Sequence, residues 1–422
     1  PRADGGPYVR RAASPPAGGD ALERLVVAVR GARRGVVVAG RQERDPRLAR
    51  ALAAFCERAR WPLLADPMSG ARAGGAAIAH YDALLREAEF RRSHKPDLVI
   101  RVGDLPVSKP LRGWLSELAG TPQVALDPEA AWQDPAALLS DSLALDPRGA
   151  LEGAGEQLPH TATTAGDGDR AGESSSGALG TSGSAPGGDW LASWRGADEL
   201  ASEAITGTIA SQQPNEPLVA AELGVLLPRE STLFVASSMP VRDIETFWPV
   251  REDPPRVLCN RGANGIDGTV SAALGAAAEG TGPVLLLIGD VALAHDIGGL
   301  LAASRLGLKL TIVLLDNDGG GIFDFLPVAG ATIAREAYSE HIATPTGLDF
   351  AEAAALYGLA YETAPTVPAL RTALERALDP NARATLIHVR GERAANVALH
   401  HQVWEAVARA LNRPAAAAAP AA

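Results

Sequence analysis

The side chains best suited to chemistry lie between positions 284 and 326, where two apolar runs each end in a polar turn. Gly289-Asp290 closes the first run, and Asn317 follows the second, just before the glycines at 319–321. A carboxylate, an amide oxygen and a backbone carbonyl from a glycine loop suit a hard cation such as Mg²⁺. Glycines also let the backbone approach a diphosphate. The pattern therefore predicts one site that holds Mg²⁺ and a diphosphate together.

The elements around these turns must bring them to one place. Asn317 follows Asp290 at about the spacing of one strand–helix–strand return. In an open parallel sheet, ligands bind beyond the carboxyl ends of the strands, which is where both turns fall. Strands are predicted at Leu233–Ala236, Val257–Leu258, Val284–Ile288, Leu310–Leu315 and Leu386–Val389, and helices at Leu218–Leu226, Val270–Ala278, Ile297–Arg305 and Val397–Leu411.

The first third of the chain has the same alternation. Strands are predicted at Val36–Ala39, Pro62–Ala65, Leu98–Val102 and Val124–Leu126, with a helix from Asp45-Pro46 and another over Ile78–Phe90. The fold class predicted is therefore α/β, with two doubly wound parallel-sheet domains. We place the domains at 21–150 and 189–412. Residues 151–188, rich in Gly, Ser and Thr, are predicted to be a flexible linker or insertion, and 413–422 a disordered tail.

Composition excludes several classes of function. A net charge of -11 argues against a nucleic-acid backbone as the main partner. No apolar run approaches the roughly 18 residues that a membrane span needs. Cys56 and Cys259 are far apart and lack metal-type spacing, so they indicate buried thiols in a reducing compartment. We therefore expect a cytoplasmic protein without a membrane span.

The motifs resemble one family of thiamine-diphosphate enzymes. Gly289-Asp290 with Asn317 resembles the metal–diphosphate motif of the superfamily, with Val291 and Asp316 where many members have Gly and Asn. The segment 260–268 (NRGANGIDG), with 238–242 (SMPVR) and 320–327 (GGIFDFLP), resembles the 2-succinyl-5-enolpyruvyl-6-hydroxy-3-cyclohexene-1-carboxylate synthase family of menaquinone biosynthesis. The stretch 96–111 resembles that family's middle domain, which would make 21–150 Rossmann-like.

The resemblance implies roles for the matched residues. Asp290, Asn317 and the Gly319 carbonyl would hold Mg²⁺, or Mn²⁺ in its place. Ile322 would be the apolar wedge that bends the cofactor. The set implied to bind thiamine diphosphate is Gly289, Asp290, Asn317, Gly319, Gly320, Ile322 and Phe323.

The implied activity is that of a transferase. It would decarboxylate 2-oxoglutarate and add the resulting four-carbon unit to isochorismate in 1,4 fashion. Both substrates are multiply anionic, and arginine pairs with carboxylates bidentately. The residues implied to face the substrates are Ser238, Arg242, Arg261, Lys109 and Leu326.

One part of such a site has no match in this chain. Enzymes of this type place the cofactor between two domains, and an amino-terminal domain supplies a proton-relay glutamate. No residue here matches that glutamate, so we expect the chain to need that domain, from the same or a separate polypeptide, for activity. A homodimer or tetramer is also implied.

Other functions remain open at this stage. The closest alternative is another thiamine-diphosphate carboligase, such as acetolactate synthase, although it would not be expected to carry the Ser238, Arg242 and Arg261 set. A second alternative is a non-catalytic domain pair that binds the cofactor and needs a partner chain. A dinucleotide-binding oxidoreductase is disfavoured because glycines 262, 265 and 268 do not have the G-x-G-x-x-G spacing, and no Gly-Lys-Ser/Thr phosphate loop is present.

Overall fold

The computed structural model describes residues 19–129, 131, 134–158, 188–260, 265–280, 282–330 and 334–412. Within these ranges the chain forms two parallel sheets with helices packed on them, which confirms the α/β fold class. The strands are β1 (Gly35–Ala39), β2 (Leu63–Ala65), β3 (Leu98–Val102), β4 (Gln123–Leu126), β5 (Asp141–Leu143), β6 (Thr232–Val235), β7 (Arg256–Leu258), β8 (Val284–Gly289), β9 (Thr311–Asp316), β10 (Ala360–Thr363) and β11 (Thr385–Arg390).

The helices connect the strands and cover the sheets. None of those described is long and apolar enough to cross a membrane. They are α1 (Asp20–Gly31), α2 (Pro46–Ala59), α3 (Tyr81–Leu84), α4 (Ala88–Ser93), α5 (Lys109–Glu117), α6 (Pro147–Glu156), α7 (Gly188–Ile209), α8 (Glu216–Leu226), α9 (Met239–Phe247), α10 (Thr269–Ala278), α11 (Asp290–His295), α12 (Leu301–Leu306), α13 (Arg335–Tyr338), α14 (Phe350–Leu356), α15 (Val367–Ala377) and α16 (Arg393–Leu411).

Strand order explains where a ligand can bind. The first sheet runs β2-β1-β3-β4-β5 and the second runs β10-β11-β9-β8-β6-β7, and every pair is parallel. Central strands such as β1 and β3 are buried along their whole length, because helices lie on both faces. In the second sheet, the direction in which strands are added reverses between β6 and β8. A crevice at the carboxyl ends of those strands is therefore expected.

The predicted helix over Ile78–Phe90 is wrong in its extent. The amide of Ile78 donates to the carbonyl of Leu63, so this residue runs alongside β2 and is not helical. Two short helices, α3 and α4, follow. Nη1 of Arg91 donates hydrogen bonds to the carbonyls of Leu85 and Arg86, which lie between the two helices. Contacts from outside the segment thus override a helical spacing of apolar residues.

Two strands were not predicted, and one predicted helix is shorter. The strands β5 and β10 lack a buried apolar run: β5 has one buried residue and β10 has none. The segment predicted as helix Ile297–Arg305 begins as a 3₁₀ turn, Ile297–Leu300, and becomes α-helical only from Leu301. Its glycines at 298 and 299 weaken an α-helical start.

The predicted linker overlaps an ordered helix at its start. Helix α6 continues to Glu156, and Leu151 and Ala154 on it are buried. The segment 159–187 and the tail at 413–422 lie outside the described residues, so the linker and tail stay predictions.

Helix α7 contacts both halves of the molecule, the first half built around the sheet β1–β5 and the second half built around the sheet β6–β11. Near its start, the indole of Trp190 donates to the carbonyl of Gly35 on β1 at 2.9 Å. Trp194 is fully buried, with its ring centroid 5.0 Å from that of Phe90 and 5.9 Å from that of Trp114. Farther along, α7 packs on α16 of the second half. One continuous buried cluster therefore joins the two sheets.

We expect Trp194→Ala to lower the free energy of unfolding by about 3–5 kcal/mol, because the indole fills a buried junction that cannot collapse around alanine. The matched control is Leu200→Ala on the same helix, where the side chain is 42% exposed and little stability should be lost. Urea denaturation followed by circular dichroism measures both. Equal losses for the two variants would contradict this role for Trp194.

Candidate functional site

A cavity of about 410 Å³ lies at the carboxyl ends of β6, β8 and β9, at the strand reversal. Both polar turns identified in the sequence line it. The lining residues are Glu216, Ser237, Ser238, Met239, Pro240, Arg242, Gly265, Ile266, Gly289, Asp290, Val291, Ala292, Leu315, Asn317, Gly319, Gly320, Gly321, Ile322 and Phe323.

Asp290 is the first residue of α11 and is only 2% exposed. Its Oδ2 accepts from the backbone amide of Gly319 at 2.7 Å. Burial, with the charge of Asp316, raises the pKa of Asp290 to about 6, although the amides of Val291 and Gly319 oppose this. A cation beside a buried carboxylate would stabilise its charged form, which burial disfavours.

Asn317 lies directly after β9 and is also buried. Its Nδ2 donates to Oε1 of Glu216 at 2.7 Å. Its Oδ1 is buried and has no hydrogen-bond partner among the described residues, and the same holds for Oγ of Ser237 in the same cavity. Buried polar atoms without partners are uncommon, and they are typical of a site that binds a polar ligand or a cation.

The turn after Asn317 requires glycine at position 319. Gly319 has φ +133°, and a Cβ there would lie 2.2 Å from Nη1 of Arg393 and 2.5 Å from the carbonyl oxygen of Ala343. The Gly319 carbonyl accepts from the amide of Gly321 at 2.9 Å. The backbone of this turn can therefore approach a ligand more closely than one with side chains could.

The donor set fits a hard divalent cation. Among the described residues, no cluster of three or more His, Cys, Asp or Glu side chains forms a metal site. Such a cluster is not needed here, because Asp290 supplies a carboxylate, Asn317 an unpartnered amide oxygen and Gly319 a backbone carbonyl. Oxygen ligands of these kinds suit Mg²⁺.

Asp316 has a different task from its neighbour Asn317. Burial alone would raise its pKa, but the hydrogen bond from Nε2 of His388 and further charges bring it below the usual value. The Asp316–His388 distance is 2.8 Å, and Nδ1 of His388 is 2.8 Å from the hydroxyl of Tyr361. Asp316 is thus held by the neighbouring strand, and does not line the cavity.

Ser238 and Arg242 line the same cavity from the start of α9. Ser238 has φ +74°, a conformation that non-glycine residues rarely adopt. Nη1 of Arg242 donates to the Ser238 carbonyl at 2.5 Å. The arginine therefore brings a positive charge to a cavity whose other charged side chains are Glu216 and Asp290.

Buried polar contacts with the first half hold the other end of α9. Nη1 of Arg72 donates to the carbonyls of Glu245 and Trp248, each at 3.0 Å. The hydroxyl of Tyr81 donates to the Glu245 carboxyl group. Burial and the charge of Asp66 raise the pKa of Glu245 well above its usual value. Residues of the first half thus position the helix that carries Ser238 and Arg242.

The remaining predicted site residues are not all brought together. Ile322 and Phe323 line the cavity, and Phe323 is 38% exposed. Leu326, 43% exposed, and Lys109, at the start of α5, are not among the lining residues. Arg261 lies outside the described residues.

The sequence reading missed part of the site. Glu216 touches Asn317, and Ser237, Gly265 and Ile266 also line the cavity. The predicted helix Leu218–Leu226 begins just after Glu216, but nothing local marks this glutamate as a site residue. Nε2 of His295 lies 2.8 Å from Oδ1 of Asp267 in an exposed pair, and neither residue lines the cavity.

A larger cavity, of about 600 Å³, lies between the first sheet and β7. Two arginines line it, but Arg41 is bonded to Asp104 and Arg101 to Asp134. Carboxylates, Gln42 and Gly103 also line this larger cavity, but its described lining residues include no buried amide oxygen without a partner like Oδ1 of Asn317 beside a buried carboxylate like Asp290. We therefore place the cofactor chemistry in the smaller cavity.

Comparisons with known proteins agree with this geometry. Residues 240–389 match the family model of the thiamine pyrophosphate enzyme C-terminal TPP binding domain, and 12–144 match that of the middle domain. The chain is 36% identical over 396 residues to 2-succinyl-5-enolpyruvyl-6-hydroxy-3-cyclohexene-1-carboxylate synthase of Listeria monocytogenes, and 37% identical over 399 residues to that of Chloroflexus aurantiacus. The chain is thus similar to these synthases along most of its own length. These alignments cover 92% and 93% of the chain.

The similarity covers only part of the relatives' own length. The chain spans 63% of the Listeria protein and 63% of the Chloroflexus protein. A solved structure of a thiamin diphosphate-dependent enzyme from Mycobacterium smegmatis matches with a TM-score of 0.57 and 20% identity, over 92% of this chain and 67% of that one. That likeness supports the fold alone.

Proposed function

We propose that this chain provides the Mg²⁺- and diphosphate-binding part of a thiamine-diphosphate synthase. The observation that carries the proposal is one cavity that joins buried Asp290, the unpartnered Oδ1 of Asn317 and the Gly319 turn to Ser238 and Arg242. Asp290, Asn317 and the Gly319 carbonyl would hold Mg²⁺ or Mn²⁺. The glycines at 319–321 would let the backbone approach the diphosphate.

The proposed reaction is decarboxylation of 2-oxoglutarate followed by 1,4-addition to isochorismate, which is what the motif resemblance implies for a relative of 2-succinyl-5-enolpyruvyl-6-hydroxy-3-cyclohexene-1-carboxylate synthases. When bound, thiamine diphosphate supplies an electron sink for decarboxylation. Within this chain, Arg242 would neutralise and orient a substrate carboxylate. Ile322 and Phe323 would exclude water from the cofactor's apolar parts. Arg261, Lys109 and Leu326 are proposed as further substrate contacts on the resemblance alone.

The assembly is part of the proposal. We propose a middle domain at 21–150 and a diphosphate-binding domain at 189–412, acting with an amino-terminal domain in a cytoplasmic dimer or tetramer. Among the described lining residues the glutamate is Glu216, and it is bonded to Asn317 at the metal end of the cavity. It is therefore poorly placed to serve as the proton relay for an aminopyrimidine ring.

We expect the purified chain alone to release no CO₂ from 2-oxoglutarate above background, because we propose that the amino-terminal domain supplies the proton relay. Adding a separately expressed amino-terminal domain of a relative should produce turnover that depends on Mg²⁺ and thiamine diphosphate. The control is the same mixture with Asp290→Ala. Substantial turnover by the chain alone would refute the need for that domain. Turnover of pyruvate in preference to 2-oxoglutarate would favour the acetolactate type of carboligase.

A further inference from the structure

Glu216 is a buried acid that the proposed chemistry does not use. It is the first residue of α8 and only 7% exposed. Burial, followed by the charge of Asp243, raises its pKa. Burying a carboxyl group is costly unless bonded groups offset it, so its presence calls for a reason.

Capping the helix is not that reason. The N-cap of α8 is Asn215, whose side chain accepts from the amide of Leu218 at 2.9 Å. The Glu216 side chain instead accepts a hydrogen bond from Nδ2 of Asn317, across 101 positions of sequence. The contact joins α8 to the turn after β9.

That contact determines which way the Asn317 amide points. A carboxylate only accepts hydrogen bonds, so the NH₂ group must face Glu216 and the oxygen must lie on the other arm of the planar amide. Oδ1 of Asn317 is buried and has no partner among the described residues. A flipped amide would put oxygen against oxygen and present NH₂ to a cation.

We propose that Glu216 is a positioning residue that holds the Asn317 amide with its oxygen toward the divalent cation. The inference rests on the proposed function, since it assumes that Asn317 is a metal ligand. Glu216 acts through Asn317, as the partners of metal-ligating side chains commonly do, and loss of such a partner typically costs about 10–100-fold in metal affinity.

The test compares two nearly isosteric variants of the full chain. Glu216→Met removes the acceptor, whereas Glu216→Gln keeps an oxygen that can accept from Nδ2. Binding of Mn²⁺ in the presence of thiamine diphosphate is measured by electron paramagnetic resonance of the free ion. We expect Glu216→Met to weaken Mn²⁺ binding about 10–100-fold, and Glu216→Gln to keep most of the wild-type affinity.

A control on the same helix separates positioning from general damage. Glu222→Gln disrupts the pair with Arg371, away from the cavity, and should leave Mn²⁺ affinity unchanged. Thermal unfolding without metal measures the stability of each variant. If Glu216 had a merely structural role, Glu216→Met would lower this stability but would not change the extra stabilisation that metal adds. If Glu216→Met does not fold, Glu216→Asp, which withdraws the carboxylate by one methylene, should weaken Mn²⁺ binding.

Each outcome decides the matter. Wild-type Mn²⁺ affinity in Glu216→Met or Glu216→Asp overturns the positioning role, as does an equal loss in Glu216→Gln and Glu216→Met. Failure of the wild-type chain to bind Mn²⁺ with thiamine diphosphate overturns the proposed metal site itself, and the inference falls with it.

Discussion

Asp290→Ala should abolish Mg²⁺-dependent binding of thiamine diphosphate to this chain. Asp290 is the one carboxylate among the proposed ligands. The other carboxylate among the described residues that line the cavity is Glu216, which is already bonded to Asn317. Calorimetric titration with thiamine diphosphate, with and without Mg²⁺, measures the effect. We expect the Mg²⁺-dependent part of the affinity to disappear, while any weak metal-independent binding remains.

Two further variants make this result specific. Asp290→Asn keeps the shape and should also lose Mg²⁺ dependence. Because burial disfavours the charged form of Asp290, the Asn variant should not lower thermal stability without metal. Asp253→Ala removes a well-exposed carboxylate and should bind as wild type. Unchanged metal-dependent affinity in Asp290→Ala would remove Asp290 from the metal site.

Arg242→Ala should lower kcat/KM for 2-oxoglutarate by about 10–100-fold in the enzyme completed with its amino-terminal domain. A hydrogen bond to a charged group is worth about 1.5–3 kcal/mol, which corresponds to that range. Arg242 lines the cavity, its Nη1 donates to the Ser238 carbonyl, and a guanidinium can pair with a carboxylate bidentately.

Substrate comparison separates recognition from a general defect. Pyruvate lacks the second carboxylate, so its turnover should differ little between wild type and Arg242→Ala. Arg229→Ala, which removes an exposed arginine of the same half, is the matched control. Normal kinetics of Arg242→Ala with 2-oxoglutarate would favour the pyruvate-type carboligase.

The proximity of Asp290 and Asn317 could be predicted because it depends on two regular β-strands. Each follows a buried strand, and β8 and β9 proved to be parallel neighbours with Leu285 opposite Thr311. Carboxyl ends of parallel neighbours meet at one edge of the sheet, so local patterns were enough to place both residues there. The Ser238 and Arg242 segment was found through resemblance, and its place in the same cavity follows from β6 pairing with β8.

Other parts of the site depend on contacts that no local pattern encodes. Glu216 meets Asn317 only because α8 packs beside α9 and the sheet edge. His400, on the terminal helix, lies 3.0 Å from Asp243 across 157 positions. Glu245 of α9 is bonded to Arg72 and Tyr81 of the other half. In sequence, such residues look like ordinary helix positions.

The sequence by itself determined the α/β class, the two sheets and the polar turns at the ends of β8 and β9, because the spacing of apolar residues, turn residues and strand ends are local properties. Only the tertiary structure decided that Ile78 runs beside β2, that α7 joins both halves through Trp190 and Trp194, and that Glu216 orients towards Asn317. The physical reason is that burial and hydrogen-bond satisfaction are settled among residues far apart in the chain. Such contacts form only when whole elements pack together.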